Sequence, residues 1–225
     1  MKKYLSEFIG TAFLVGAILG SNSLAMSIMG ESSAAHLAHA LSIGGTLMVM
    51  IMVFGPISGG HFNPAVTISF LAKGDMKFDE AIPYFVSQIL GGVAGAVVIN
   101  LMYETSIFPI SEVVRSGYGQ YISEFITTFG LVMIIHILLQ NKSESVPFAV
   151  GTYIFAAITY SSSTAFANPA VAIGRIFSNS DASIDPISAF SFIVIQIAGG
   201  LVAFQVCKFF ITSDIKSKKV SKRKK

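Results

Sequence analysis

The chain is 225 residues long; 53% of them are hydrophobic and only 12% are charged, and the mean hydropathy is +0.70. That composition excludes a soluble globular domain and reads as a membrane protein. The formal net charge of +3 conceals how unevenly the charges fall along the chain.

A bilayer core takes roughly 20 apolar residues per helix, and six stretches meet that length: 4–29, 36–55, 78–102, 118–140, 146–166 and 186–210. The opening Met1-Lys2-Lys3 and its apolar run have the outline of a signal peptide. Glu7 interrupts the run, however, and the same local sequence returns mid-chain, so it is read as a retained first helix. Two further apolar pieces, 63–71 and 168–177, are too short to span. They begin Asn63-Pro64-Ala65-Val66 and Asn168-Pro169-Ala170-Val171. Asn is a favoured helix N-cap and Pro a favoured first helical residue, so both pieces read as helix starts within apolar sequence.

An even number of spans puts both termini on one side. That side carries Lys2, Lys3, Lys73, Lys77, Lys142, Lys208 and a tail of lysines with Arg223, whereas the other keeps only Arg115 and Arg175 among the bases. The positive-inside rule places both termini in the cytosol of a cell whose plasma (inner) membrane the protein crosses several times. The basic tail, 213–225, serves topology and attraction to anionic lipid and is expected to be disordered; nothing about it points to nucleic acid. The lone Cys207 has no partner for an internal disulfide and reads as a small packing residue.

The two halves repeat. Ser6-Glu7-Phe8-Ile9 returns as Ser123-Glu124-Phe125-Ile126, each Asn-Pro-Ala-Val has its counterpart, and Gln88-Ile89-Leu90-Gly91-Gly92 returns as Gln196-Ile197-Ala198-Gly199-Gly200. Each copy holds three spans, an odd number, so the second enters from the opposite face: residues 1–110 and 111–212 form an inverted 3+3 repeat of an all-α membrane protein, with six transmembrane helices and two re-entrant half-helices at 63–71 and 168–177. Non-helical backbone at membrane depth is tolerated only inside protein or along a wet cavity. Two half-helices then meet N-terminus to N-terminus, their positive dipole ends repelling cations while the Asn63 and Asn168 amides donate hydrogen bonds to a neutral passenger.

Glu7 and Glu124 are expensive in apolar helices unless satisfied, and are expected to accept hydrogen bonds from the re-entrant loops; the rival role is proton relay in a coupled transporter. Gly91, Gly92, Gly95, Gly199 and Gly200 are expected to form close helix contacts. His61 is expected along the approach to Asn63, whereas His36, His39 and His136 are read as interfacial or packed, and no spacing suggests a metal site or a cofactor.

The doubled motif within Ser58-Gly59-Gly60-His61-Phe62-Asn63-Pro64-Ala65-Val66-Thr67, with the paired Glu7-Phe8 and Glu124-Phe125, resembles the major intrinsic protein family of aquaporins and aquaglyceroporins. The resemblance implies one pore per subunit and a homotetramer. It also implies a constriction whose positions, carried over by spacing from the two asparagines, are Ile43, Ala156, Ala165 and Val171. Most of the family has Arg where Val171 stands, so the resemblance implies a wider and more apolar filter here. Arg175 follows Val171 by one helical turn, about 6 Å further out; it either places its charge in the outer vestibule or snorkels and caps carbonyls.

The reading is a passive channel for small uncharged solutes: glycerol, urea, undissociated metalloid acids such as arsenous acid, and water. The alternatives are a strict water channel, a proton-coupled transporter using Glu7 and Glu124, and a closed junction protein. No convergent nucleophile, base and oxyanion group supports an enzyme.

Overall fold

The computed structural model describes residues 1–222, with side chains described through Phe210. Its elements are α1 (Lys2–Met29), α2 (Ser33–Ser58), α3 (Pro64–Lys73), α4 (Phe78–Met102), α5 (Tyr118–Gln140), α6 (Val146–Tyr160), α7 (Pro169–Arg175) and α8 (Pro186–Lys222). Among the described residues there is no strand. Among the described residues five helices are long and apolar enough to cross a membrane, and α6 is a shorter apolar helix.

Several boundaries differ from the sequence expectation, two of them where a span gives way to a re-entrant loop. The second span runs past Gly55 and takes Pro56 into its last turn, ending where Gly59, at a φ of 93°, adopts the left-handed conformation and returns its N–H to the Gly55 carbonyl. The fifth span stops at Tyr160 rather than Phe166. There Ser161 turns extended, and Thr164, Ala165 and Ala167 take positive φ values that break helical geometry. The lost turn and a half returns the chain toward mid-depth, where α7 begins. The backbone of the basic tail continues α8 as helix to Lys222 instead of the expected disorder, while its side chains and residues 223–225 lie outside the described residues.

The core is built where small residues let helices touch. Gly91 and Gly95 of α4 lie directly against the Phe8 and Ala12 carbonyls of α1. Gly199 of α8 meets the Phe125 carbonyl of α5, with 2.6 Å to a Cβ placed there. In α2 and α6, Gly44 and Gly151 face each other's carbonyls, each 2.5 Å from the other's notional Cβ. In lipid, where apolar burial gives helices little net attraction, close backbone approach of this kind supplies the packing. The half-helices enter the same framework: a Cβ on Gly92 of α4 would lie 2.7 Å from the Ala170 carbonyl, and one on Gly174 of α7 would lie 2.7 Å from the Gly92 carbonyl. The periphery is the reverse of a soluble protein's, with Leu41, Phe13, Val86, Leu90, Ile122 and Phe190 exposed. The molecule is a multi-pass membrane protein, with its polar side chains gathered toward the centre.

Candidate functional site

Both half-helices start as their sequences require. Asn63 and Asn168 have extended backbones, and each side-chain oxygen accepts from the N–H two residues on, Ala65 at 2.9 Å and Ala170 at 2.9 Å. Proline occupies the first helical position in both, where no N–H is needed. The remaining amide atoms cross the midline: Asn63 Nδ2 donates to the Ala167 carbonyl at 2.8 Å, and Asn168 Nδ2 donates to the Phe62 carbonyl at 2.8 Å. Phe62 and Ala167 aim these carbonyls by holding φ at 48° and 45°, a conformation most residues avoid. One N–H of each amide is therefore spent tying the half-helices tip to tip, and one remains for the cavity that both residues line.

Glu7 and Glu124 are fully buried beside these tips. Glu7 Oε1 accepts from Ser58 Oγ at 2.7 Å and the His61 N–H at 3.0 Å, and its Oε2 accepts from the Phe62 N–H at 2.7 Å and Gln88 Nε2 at 2.8 Å. Glu124 repeats the pattern on the Phe166 N–H at 3.0 Å, the Ala167 N–H at 2.9 Å and Gln196 Nε2 at 2.6 Å. A buried N–H without a partner costs about 1–3 kcal/mol, so each carboxyl offsets what its re-entrant loop would otherwise lose.

Between the tips runs a slender cavity with about 50 Å³ of room for water centres. A water needs roughly 10–15 Å³ of such room, so the cavity fits a short file of molecules. Ile43, Ala165 and Val171 line it together with both asparagines, His61 and Arg175. Ala156, the fourth position expected by spacing, does not. The cavity face of α6 is Val150, Ile154 and Ile158, one turn apart, and at 100° per residue Ala156 points to the opposite side of the helix. Counting back from Asn168 misses because the chain between Tyr160 and Asn168 is not helical.

The ends of the cavity are related by the repeat but differ in chemistry. Two residues before Asn63 stands His61, whose ring stacks on Phe70 at 4.5 Å and whose Nδ1 lies 3.1 Å from Thr67 Oγ1. The equivalent positions around Asn168 are Phe166 and Arg175, and the Arg175 guanidinium carbon lies 3.4 Å from the Phe166 ring centroid. Arg175 is only 3% exposed. It neither reaches bulk solvent nor caps the carbonyls of α7; its Nε donates to the Ala182 carbonyl in the following loop. Arg115 approaches the same ring at 5.2 Å and donates from Nε to Ser183 O at 2.7 Å and from Nη2 to Asp181 O at 2.5 Å. Burial pulls the Arg115 guanidinium below its ordinary value against the opposing pull of Glu124 and Asp181.

Phe166 and His39 were not singled out from the sequence as lining residues. Phe166 was available from the repeat, since it occupies the place of His61. His39 lines the cavity from α2, with Nδ1 held 2.8 Å from Ser21 Oγ, and only its position one turn before Ile43 hinted at it. His136 is buried among Phe70, Phe204 and Ser69, away from the cavity lining.

The family model described as "Major intrinsic protein" matches residues 1–165 and ends short of Asn168. The aquaglyceroporin AqpS of Rhizobium meliloti (strain 1021) is 34% identical over 210 residues, covering 93% of this chain and 90% of that protein. The aquaporin TIP1-2 of Musa acuminata is 32% identical over 189 residues, covering 77% of this chain and 74% of the relative. Among solved structures, the aquaglyceroporin from Plasmodium falciparum superposes with a TM-score of 0.72 at 21% identity, covering 93% of this chain and 95% of its own, and so shares the fold. With its doubled half-helix caps, paired carboxyls and inverted repeat, the chain belongs to the major intrinsic protein family.

Proposed function

We propose that the protein is a passive transmembrane channel for small uncharged solutes and water. The observation that carries this is the cavity itself: a slim passage framed by two opposed half-helix N-termini, with both asparagine caps and a girdle of aliphatic side chains on its wall. The opposed dipole ends disfavour a cation at the centre, while the free amide N–H groups give a neutral hydroxyl or amide something to bond to. Names of similar proteins, aquaglyceroporin above all, support solutes larger than water. Val171, where the family pattern has Arg, leaves Ile43, Ala165 and Val171 as an apolar wall suited to glycerol, urea and undissociated metalloid acids such as arsenous acid. The orientation we infer has both termini in the cytosol, and the working assembly is a homotetramer with one pore per subunit.

Glu7 and Glu124 favour a channel over a proton-coupled transporter. Seven donors converge on the two carboxyls, and neither residue lines the cavity. The test is stopped-flow light scattering on proteoliposomes with water, glycerol, urea and arsenous acid, for the native chain and Val171→Arg. The native chain passes the larger solutes without saturation. The substitution lowers their flux at least about tenfold, a barrier increase of about 1.4 kcal/mol, and largely spares water. Native vesicles passing water alone would make the strict water channel the better account, and saturating flux would favour a transporter.

A further inference from the structure

Among the described residues neither guanidinium group at the Phe166 ring forms an ion pair. Among the described residues the ion pairs are Lys3 with Glu80 and Lys73 with Asp75, both on the face that carries the termini. On the opposite face, the guanidinium groups of Arg115 and Arg175 donate, among the described residues, only to main-chain carbonyls of 181–183. Glu124, whose charge reaches Arg115, spends its oxygens on two loop N–H groups and Gln196. Asp181 gives Arg115 its carbonyl oxygen and forms no ion pair with it.

Arg175 is the more telling of the two. It is 3% exposed, yet among the described residues only its Nε is hydrogen-bonded to a protein acceptor. Arg175 lines the cavity, so its remaining guanidinium donors are placed to serve a ligand there. A cation at membrane depth without an ion-pair contact is costly, and a guanidinium whose fork of donors lacks protein acceptors is shaped for a planar oxyanion. Arg115, with its guanidinium carbon 5.2 Å from the same ring, does not line the cavity but brings a second positive charge that Arg175 feels. The small volume limits the ligand to a few heavy atoms.

We propose that the Arg175 fork, backed by Arg115 and seated on Phe166, is a binding site for a small monovalent oxyanion of nitrate or formate size, and that an anion held there blocks the passage of neutral solutes. The block rests on the channel reading; the binding does not. The anion supplies the missing ion-pair contact and sits in the file that solutes must follow, so flux falls as the site fills. The channel is thereby regulated by the anions of the solution on the face opposite the termini.

Two measurements separate binding from block. Sodium nitrate is titrated calorimetrically into detergent-purified native protein, and urea flux is recorded in proteoliposomes with external sodium nitrate or osmotically matched sodium gluconate, an anion too large for the cavity. The expected result is binding heat with a midpoint on the order of 1–10 mM and a severalfold lower urea flux in nitrate than in gluconate. Arg175→Gln loses both responses, Arg175→Lys keeps a weaker one, and Arg115→Gln shifts the midpoint upward by about tenfold or less. Absence of heat together with equal flux in the two salts overturns the site, as does an Arg175→Gln protein that responds like the native one. Since the native chain alone decides the first comparison, a variant that fails to fold does not shelter the proposal. Binding heat with no urea flux in either salt would leave the site standing and bring down the channel reading.

Discussion

Replacing Glu7 by Gln tests whether this carboxyl acts as a loop anchor or a proton carrier. Glu7 offers two oxygens to four donors; Gln offers one oxygen and one amide. With the oxygen turned toward Phe62 and Gln88, the amide can donate to Ser58 Oγ but faces the His61 N–H. With the oxygen turned toward Ser58 and His61, Gln88 can flip to offer its unpartnered Oε1, but the amide then faces the Phe62 N–H. Either orientation strands one main-chain N–H at membrane depth and turns the remaining bonds from charge-assisted to neutral. The cost is about 3 kcal/mol, which for a chain of this length lowers the melting midpoint by about 6–12 °C. The assay is a thermal melt of purified Glu7→Gln followed by size exclusion, paired with urea flux below the new midpoint at two external pH values. Flux per folded protein stays near native and does not depend on a proton gradient. An unchanged midpoint would refute the anchoring argument, and a native flux that follows the proton gradient and loses that dependence in Glu7→Gln would make the residue a relay.

Two further substitutions follow from the packing and the caps. Gly151→Ala places a Cβ 2.5 Å from the Gly44 carbonyl and 2.6 Å from Met48 Cβ, forcing α2 and α6 apart at about 1–3 kcal/mol; because Ile43 and Ile154 move with those helices, solute selectivity in the flux assay changes along with the melting midpoint. Asp185 caps α8, its Oδ1 accepting from the Ile187 N–H at 3.0 Å and the Ser188 N–H at 3.2 Å. Burial alone would raise its carboxyl, but these hydrogen bonds hold it below the ordinary 3.8. A carboxyl lowered on folding stabilises above its unfolded value, and that contribution is lost as the pH falls through the folded one. Asp185→Ala therefore costs about 1 kcal/mol near pH 7. Melts at pH 7 and below about pH 3 should show the gap to the native protein narrowing with acid; a gap that widens would contradict the sign.

Much of this architecture was legible because the bilayer leaves few choices. A helix start such as Asn63-Pro64 inside apolar sequence has one use at membrane depth, and the repeat supplied its counterpart at Asn168. The structure begins the half-helices at the expected caps and accepts both carboxyls into the loops that follow the second and fifth spans. What escaped was phase across irregular chain. Ala156 was reached by counting through 161–168, where positive φ at Thr164, Ala165 and Ala167 cancels any helical register, and the cavity took Ile154 and Ile158 instead. Arg175 escaped for another reason. Its distance from Val171 along α7 was readable, but its direction is set by Phe166 and the Ala182 carbonyl, contacts that only the folded loops bring together.

The crossed amide bonds at the midplane also constrain how the chain is made. Asn63 and Ala167 are 104 residues apart, and Phe62 and Asn168 are 106 apart. While the first half alone occupies the membrane, the Phe62 carbonyl and Asn63 Nδ2 lack the partners they have in the full chain, and the strained backbone at Phe62 has nothing to aim at. Until residue 168 arrives, α3 is a half-finished element held in place by Glu7. The first repeat is thus a waiting template, and the step that closes the midplane is the docking of one inserted half on the other.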